Sequence, residues 1–323
     1  MSAVAPSSAV PGSPVAPGRP SPSAAAVRHR PRPRIPYLLL VPAVVVLLLG
    51  MGYPVVWQLI TSTRKFGLAQ QFGQPAEFVG LGNYLALVRD PQFLAVIARS
   101  IAFCLVTAAV TVVVGTLLAL LMTAVGRVIR LVLQVSLLLA WAMPVVAAMT
   151  VWIWLFDRRR GVVNYLLDAL GLPFYRFDWL AQPLTFFLVA MIIVVWMSVP
   201  FVAFSVYAGL TQVSDEVLEA AQLDGASGAQ RFRHIIAPMI RPVLSIVLLL
   251  QLIWDLRVFT QFTMLQDAGS KSSDFDVLGT YIYKLATSSQ DFGTASAFSV
   301  LVLLLTIALS WFYVRDLMKG EQR

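Results

Sequence analysis

Asp255 and Arg257 stand inside an otherwise apolar run, where an isolated charge costs roughly 3 kcal/mol on insertion scales. A carboxylate accepts and a guanidinium donates hydrogen bonds to hydroxyl groups. Trp254 and Phe259, which flank the pair, can add ring area beside those polar groups. Two positions apart on a helix, the charges project about 200° from one another, so a direct ion pair is not the natural arrangement and each needs its own partner. Trp254, Asp255, Arg257 and Phe259 are thus candidate lining for the path of a polar solute. A polar lock between subunits, or a position near a helix end, accounts for the charges equally well.

No catalytic constellation accompanies them. Cys104 is the single cysteine and lies in an apolar run, so no intrachain disulfide forms and the redox compartment stays open. His29 and His234 sit in different segments without neighbouring cysteines, which leaves no material for an ordinary zinc site, and no metal is expected. A phosphate-cradling loop ends in Gly-Lys before Ser or Thr. Lys65, Lys271, Lys284 and Lys319 follow Arg64, Ser270, Tyr283 and Met318. The chain therefore cannot hold ATP in such a loop, and any energy for work comes from a partner or an ion gradient.

The elements that must position these residues are set by composition. Of 323 residues 59% are hydrophobic and 12% charged, against about 45–50% and 25% in soluble domains. Only a bilayer accepts that surplus, with a crossing helix needing about 20 apolar residues. The formal charge of +8 comes without a basic stripe interleaved with aromatics, so nucleic acid is not an expected partner, whereas basic flanks are ordinary in membrane proteins. Strands are unattractive for runs this long and uniformly apolar. The expected fold is all-α.

Residues 1–34 are rich in Pro, Ser, Ala and Gly and end in Arg28-His29-Arg30-Pro31-Arg32-Pro33-Arg34. Prolines prevent helix propagation and there is little to bury, so the segment reads as a disordered cytoplasmic tail. The apolar stretch that follows is longer than the roughly 7–15 residues of a signal-peptide core and reads as a retained span. Six spans are expected, at about 35–60, 97–122, 131–156, 184–210, 244–265 and 295–314, within a domain covering 35–316 and followed by a short cytoplasmic tail at 317–323. Six crossings put both ends on one side, and the basic N-terminal cluster puts that side in the cytoplasm. Arg158, Arg159 and Arg160 then fall outside, against the usual bias. Trp152, Trp154 and Trp179 read as anchors at the membrane edge, and Pro54, Pro144 and Pro200 as kinks without an assigned gating role.

The inside loop at 211–242 carries the most information. Ser214 is a suitable N-cap, Asp215 and Glu216 complement the dipole of a first helical turn, and Gly225 can adopt the left-handed conformation that ends the helix. Ser227 can then cap a second short helix. Val217, Leu218 and Ala221 offer a small apolar face suited to a groove on another protein. A helix lying flat on lipid is the alternative, although an acidic first turn suits anionic lipid poorly.

Glu219-Ala220-Ala221, Asp224-Gly225-Ala226, Phe232, Ile235, Pro238 and Pro242 resemble the EAA loop of binding-protein-dependent ABC importer permeases. One position departs from that pattern, with Ala237 where the family commonly has Leu. The likeness runs from about Tyr37 to Tyr313 and includes Phe78 to Tyr84, Trp196 to Gly209, Gly279 to Tyr283 and Phe292 to Ala297. These stretches are similar to the sugar permeases of the maltose and glycerol-phosphate type, and to the first permease of each pair more than the second. The resemblance implies the type I ABC importer transmembrane fold in the inner membrane, without enzymatic activity. It implies that Glu219, Ala220, Ala221, Asp224, Gly225, Ala226 and Pro238 couple the chain to a cytosolic ATPase pair, which would hold ATP and Mg. A second permease in a heterodimer, an extracytoplasmic solute-binding protein and a substrate of the sugar class complete the implied partners. A gradient-driven secondary transporter and a non-transporting membrane scaffold are the rival readings.

Overall fold

The computed structural model describes residues 35–269 and 271–320; the expected tail at 1–34 and the last residues of the expected tail at 317–323 lie outside it. The chain divides into two units at Gly52 and Tyr53. The described part of the first unit is α1 (Ile35–Leu47), which contains Pro42, followed by a π-helical turn at Leu48–Gly52.

The second unit opens with α2 (Tyr53–Ser62), a short antiparallel pair formed by β1 (Arg64–Lys65) and β2 (Glu77–Phe78) around α3 (Leu68–Gln71), and α4 (Gly82–Arg89). The long helix α5 (Pro91–Ala124) follows, started by Asp90, whose side chain accepts from the Gln92 N–H. Next come α6 (Arg127–Ala142), α7 (Val145–Leu155), α8 (Val162–Ala169), α9 (Pro183–Leu210), α10 (Asp215–Leu223) and α11 (Gly228–Arg231). The remainder is α12 (Ala237–Leu256), α13 (Thr260–Ala268), α14 (Leu278–Thr287) and α15 (Phe292–Gly320).

Leu39–Ser62, Pro91–Ala124, Pro183–Leu210, Gly228–Leu256 and Phe292–Trp311 are long and apolar enough to cross a bilayer, and α6 with α7, bent by 102°, makes a sixth when the pair is taken as one broken span. The bend falls at Met143 and Pro144, where the missing proline N–H breaks the hydrogen-bond ladder. Apolar periodicity continues through this point, which is why 131–156 reads as one run. The run at 244–265 is likewise divided: α12 ends at Leu256, and Arg257 to Phe259 break the helix before α13.

The centre of the second unit is the contact between α5 and α9, with α12 packed on both. Thr107, Ala108, Thr111, Gly115 and Ala119 give α5 a buried stripe of small side chains, the pattern by which membrane helices approach closely. The approach is tightest at Gly115, where an added Cβ would lie 2.5 Å from Val202 Cγ1 and 2.6 Å from Val202 Cβ. Towards the loop-bearing end, Val202, Val206, Leu210, Val213, Ile240 and Val247 form one apolar cluster. At the other end the cluster is aromatic, with Phe186, Phe262 and Phe275 at its centre. The Phe186 and Phe275 rings stack at 4.4 Å.

Trp179 belongs to that aromatic cluster and is buried, contrary to its expected anchoring role. It stacks on Phe174, and its indole N–H donates to Asn164 Oδ1 at 2.6 Å. Trp152 packs against Phe156 and Trp196, and only Trp154 of the three presents most of its ring outward.

Because Val202 is β-branched and cannot swing aside, Gly115→Ala is expected to cost about 1–3 kcal/mol of overpacking. The thermal midpoint of the detergent-solubilised permease should fall, and adding Val202→Ala should not restore it, because the residue-202 Cβ that lies 2.6 Å away is still present.

Candidate functional site

The loop between α9 and α12 is built from two different helix ends. Asp215 and Glu216 occupy the first turn of α10, and Ser214 sits at its N-cap with extended backbone but without the expected side-chain hydrogen bond. The helix ends in a Schellman arrangement: the Ala226 N–H reaches Ala221 O at 3.0 Å and the Gly225 N–H reaches Gln222 O at 3.1 Å. Gly225 has φ +79°, a left-handed conformation that costs an L side chain roughly 1–2 kcal/mol. Ser227 then opens α11 with a reciprocal box, its N–H donating to Gln230 Oε1 at 2.8 Å and its Oγ accepting from the Gln230 N–H at 3.4 Å.

The second helix of the loop is not short. Gly228–Leu256 is one helical stretch, passing through a π-helical turn at Phe232–Ile236. Pro238 follows that turn within α12. The widened turn is where the ladder absorbs a residue that has no N–H to offer.

Burial divides the expected apolar face. Leu218 packs on the Val206–Leu210–Ile240 cluster, while Val217 is exposed and Leu223 is 89% exposed. Glu219, Ala220, Asp224 and Gly225 are also exposed, whereas Ala221 and Ala226 are half-buried. Asp224, Gly225, Ala226, Gln230, His234 and Ile235 line a hollow of ≈ 320 Å³. The loop thus presents an acidic, apolar-tipped element whose root is fixed to α9 and α12.

The four candidate path residues part company at the end of α12. Asp255 is 3% exposed, and its Oδ1 accepts from Gln251 Nε2 at 2.7 Å, one turn earlier on the same helix. Gln251 is fully buried, and the Cys104 thiol of α5 donates to the neighbouring Leu252 carbonyl at 3.3 Å. Asp255 Oδ2 and Gln251 Oε1 have no hydrogen-bond partner among the described residues. Arg257, at the C-cap, is exposed and forms no ion pair among the described residues. Trp254 is exposed and packs edge-on against Phe201 at 5.0 Å, while Phe259 packs against Tyr283 at 5.3 Å. Sequence reasoning missed Gln251, although its place four residues before Asp255 is the signal of a shared helix face. Tyr283 was legible only as part of the Gly279 to Tyr283 stretch.

A second polar cluster, also missed, holds the chain after the break. Asp276 is 2% exposed. Its carboxylate accepts from Lys284 Nζ at 2.7 and 2.9 Å, from Thr280 Oγ1 at 3.2 Å and from Gln266 Nε2 at 3.3 Å. The segment is tied to α5 by Leu278 N–H to Ser100 Oγ at 2.9 Å and by Arg99 Nη2 to Ser273 O at 2.9 Å. Tyr281 donates its hydroxyl to the Asp90 carboxylate. Burial, followed by that hydrogen bond, pushes the Tyr281 phenol above its ordinary range, so its contribution to stability is present below the ordinary phenol pKa and is lost in strong alkali.

Residues 111–315 match the family described as the binding-protein-dependent transport system inner membrane component, and the chain belongs to that family. It is 39% identical over 288 residues to the diacetylchitobiose uptake system permease protein DasB of Streptomyces coelicolor, covering 89% of this chain and 88% of that one. It is 31% identical over 278 residues to the sulfoquinovosyl glycerol transport system permease protein SmoG of Agrobacterium fabrum, covering 86% and 88%. In fold it is similar to a chain of a bacterial alginate ABC transporter, solved in complex with a periplasmic protein bound to an alginate pentasaccharide. The TM-score is 0.74 at 22% identity, over 86% of this chain and 92% of that chain. The protein is accordingly a multi-pass inner-membrane permease subunit with the type I importer fold.

Two substitutions test the buried clusters. Gln251→Leu strips Asp255 of its partner and should cost about 1–3 kcal/mol, read as a lower thermal midpoint. Gln251→Leu combined with Asp255→Leu should restore the midpoint if the pair is a structural lock. Lys284→Met leaves Asp276 buried without its cation. With the Lys284 side chain 34% exposed, the loss should be about 2 kcal/mol, below the roughly 3–5 of a fully buried pair. Adding Asp276→Asn should return part of it.

Proposed function

We propose that this chain is the carbohydrate-conducting permease of an ATP-driven importer, and that the α10 to α11 loop is its contact with a cytosolic ATPase pair. ATP and Mg belong to those partners, and the permease neither makes nor breaks a bond. A second, different permease, an extracytoplasmic solute-binding protein and a cytoplasmic location for both termini complete the reading. The observation that carries it is the build of α10: exposed Glu219 and Leu223 on one side, Leu218 seated on α9 and α12 on the other. A helix so placed can enter a cleft of another protein and deliver its displacement to two spans at once.

The sugar class is supported by the uptake systems named for DasB and SmoG and by the surface at the end of α12. Exposed Trp254 and Tyr283 offer ring faces, and Arg257 offers guanidinium donors, the combination by which hydroxylated rings are held weakly enough to move on. Phe259 supports Tyr283. Asp255 is turned into the protein, where it accepts from Gln251 of the same helix, and it stands apart from this surface.

Reconstitution with the ATPase pair, the second permease and the binding protein tests the reading. Gly225→Pro removes the N–H that reaches Gln222 O and forbids φ +79°. It should abolish uptake and the stimulation of ATP hydrolysis by loaded binding protein, while the complex still assembles. Gly225→Ala keeps the N–H at a cost of roughly 1–2 kcal/mol and should retain partial coupling. Uptake by the native complex that follows an imposed proton gradient without ATP would favour a secondary transporter, and absence of any solute flux would favour a scaffold.

A further inference from the structure

Arg158, Arg159 and Arg160 remain outside the coupling and path sites. They line a hollow of ≈ 300 Å³ together with Tyr165, Tyr175 and Arg176. Asp157 forms no ion pair with them: its Oδ1 accepts from the backbone N–H groups of Arg159 at 2.9 Å and Arg160 at 2.7 Å, and its charge offsets one of the arginines. Arg158 Nε donates to the Arg176 carbonyl at 3.2 Å, and the Arg176 guanidinium lies over the Tyr175 ring at 5.4 Å. None of the four arginines forms an ion pair among the described residues. Asp168 is the one acidic side chain on the lining, so the hollow keeps a strong excess of positive charge.

Its position identifies the occupant. Arg158 comes three residues after Leu155, the last residue of α7, and Arg176 lies a few residues before Pro183, the first of α9. The arginines thus sit where apolar spans give way to the interface, at the end of α9 opposite the α10 loop. Beside the hollow, α8 exposes the lining residue Tyr165 and, next along the same segment, Leu166 and Leu170. Guanidinium forks close to where the apolar spans end, beside exposed tyrosine and leucine side chains of the same segment, match a phosphodiester with acyl chains attached. A soluble acidic protein face would meet the charge but leave the leucines unused.

We propose that this hollow binds the headgroup of an anionic phospholipid, which anchors the α8 segment to the membrane surface. Assignment to the outer leaflet rests on the importer reading; the binding itself does not.

The test uses the assembled complex in nanodiscs, without ATP. Native mass spectrometry and lipid titration compare phosphatidylglycerol with phosphatidylcholine for the native chain, for Arg159→Gln/Arg160→Gln and for Arg159→Lys/Arg160→Lys. Retention of phosphatidylglycerol over phosphatidylcholine, falling roughly tenfold or more in the Gln variant and partly restored in the Lys variant, is the expected result. Soluble glycerol phosphate should compete poorly. The proposal is overturned if the Gln variant retains as much phosphatidylglycerol as the native chain, or if glycerol phosphate competes as well as the lipid. It is also overturned if the Gln variant keeps its lipid and loses only affinity for the solute-binding protein. A normal lipid result beside absent uptake would instead count against the importer reading alone.

Discussion

The second unit depends on how closely α5 and α9 approach. In hydrocarbon there is no aqueous penalty to drive helices together, so dispersion contacts and small side chains must do it. The buried stripe from Thr107 to Ala119, with Gly115 against Val202, supplies that surface. Helix α12 then lies against both. Each of the two functional regions is attached to this three-helix centre: the α10 loop joins the end of α9 to the start of α12, and the candidate path begins where α12 stops.

In the proposed importer this connectivity would turn a local push into motion of whole spans. Leu218 is the root of α10 and sits among Val206, Leu210 and Ile240, side chains from both spans that the loop connects. The Schellman end at Gly225 and the box at Ser227 leave few unpaired backbone groups between α10 and the long stretch that begins at Gly228. A closely packed interior passes displacement on instead of absorbing it. The π-helical turn at Phe232–Ile236, and Pro242 within α12, are places on that route where the ladder is irregular.

Legibility in the sequence followed the range of the interactions. The apolar runs and the loop are local patterns: run length, an acidic first turn, a glycine four residues after Ala221, a serine at 227 able to cap a second helix. They were readable because the bilayer and the helix each impose one period. Pro144 was legible as a kink and Arg257 as an interruption, but hydrophobicity continues across both, and only backbone geometry reveals the 102° bend at the first and the helix end at the second. Trp179 was misread for the opposite reason. Its neighbours Asn164, Phe174 and Phe156 come from separate parts of a long connection, and no local pattern announces that they converge. The Asp276 cluster was invisible on the same ground, since Ser100 and Leu278 are 178 residues apart.

The contrast between Asp255 and Arg257 shows what the break at the end of α12 accomplishes. Had the helix continued, both charges would have lain at membrane depth. Ending it at Leu256 leaves Asp255 on the last buried turn, where Gln251 can reach it, and frees Arg257 to turn outward beside exposed Trp254. Irregular backbone is tolerated at such a position only where protein or a wet cavity satisfies it. Here the Arg257 N–H still reaches Trp254 O at 3.1 Å, and α13 restarts three residues later. The Asp276–Lys284 clasp and the ties to Arg99 and Ser100 hold the far side of the break in place. The polar groups that interrupt the span are therefore arranged in two tiers, Asp255 with Gln251 inside the protein and Arg257 on the exposed surface where α12 ends.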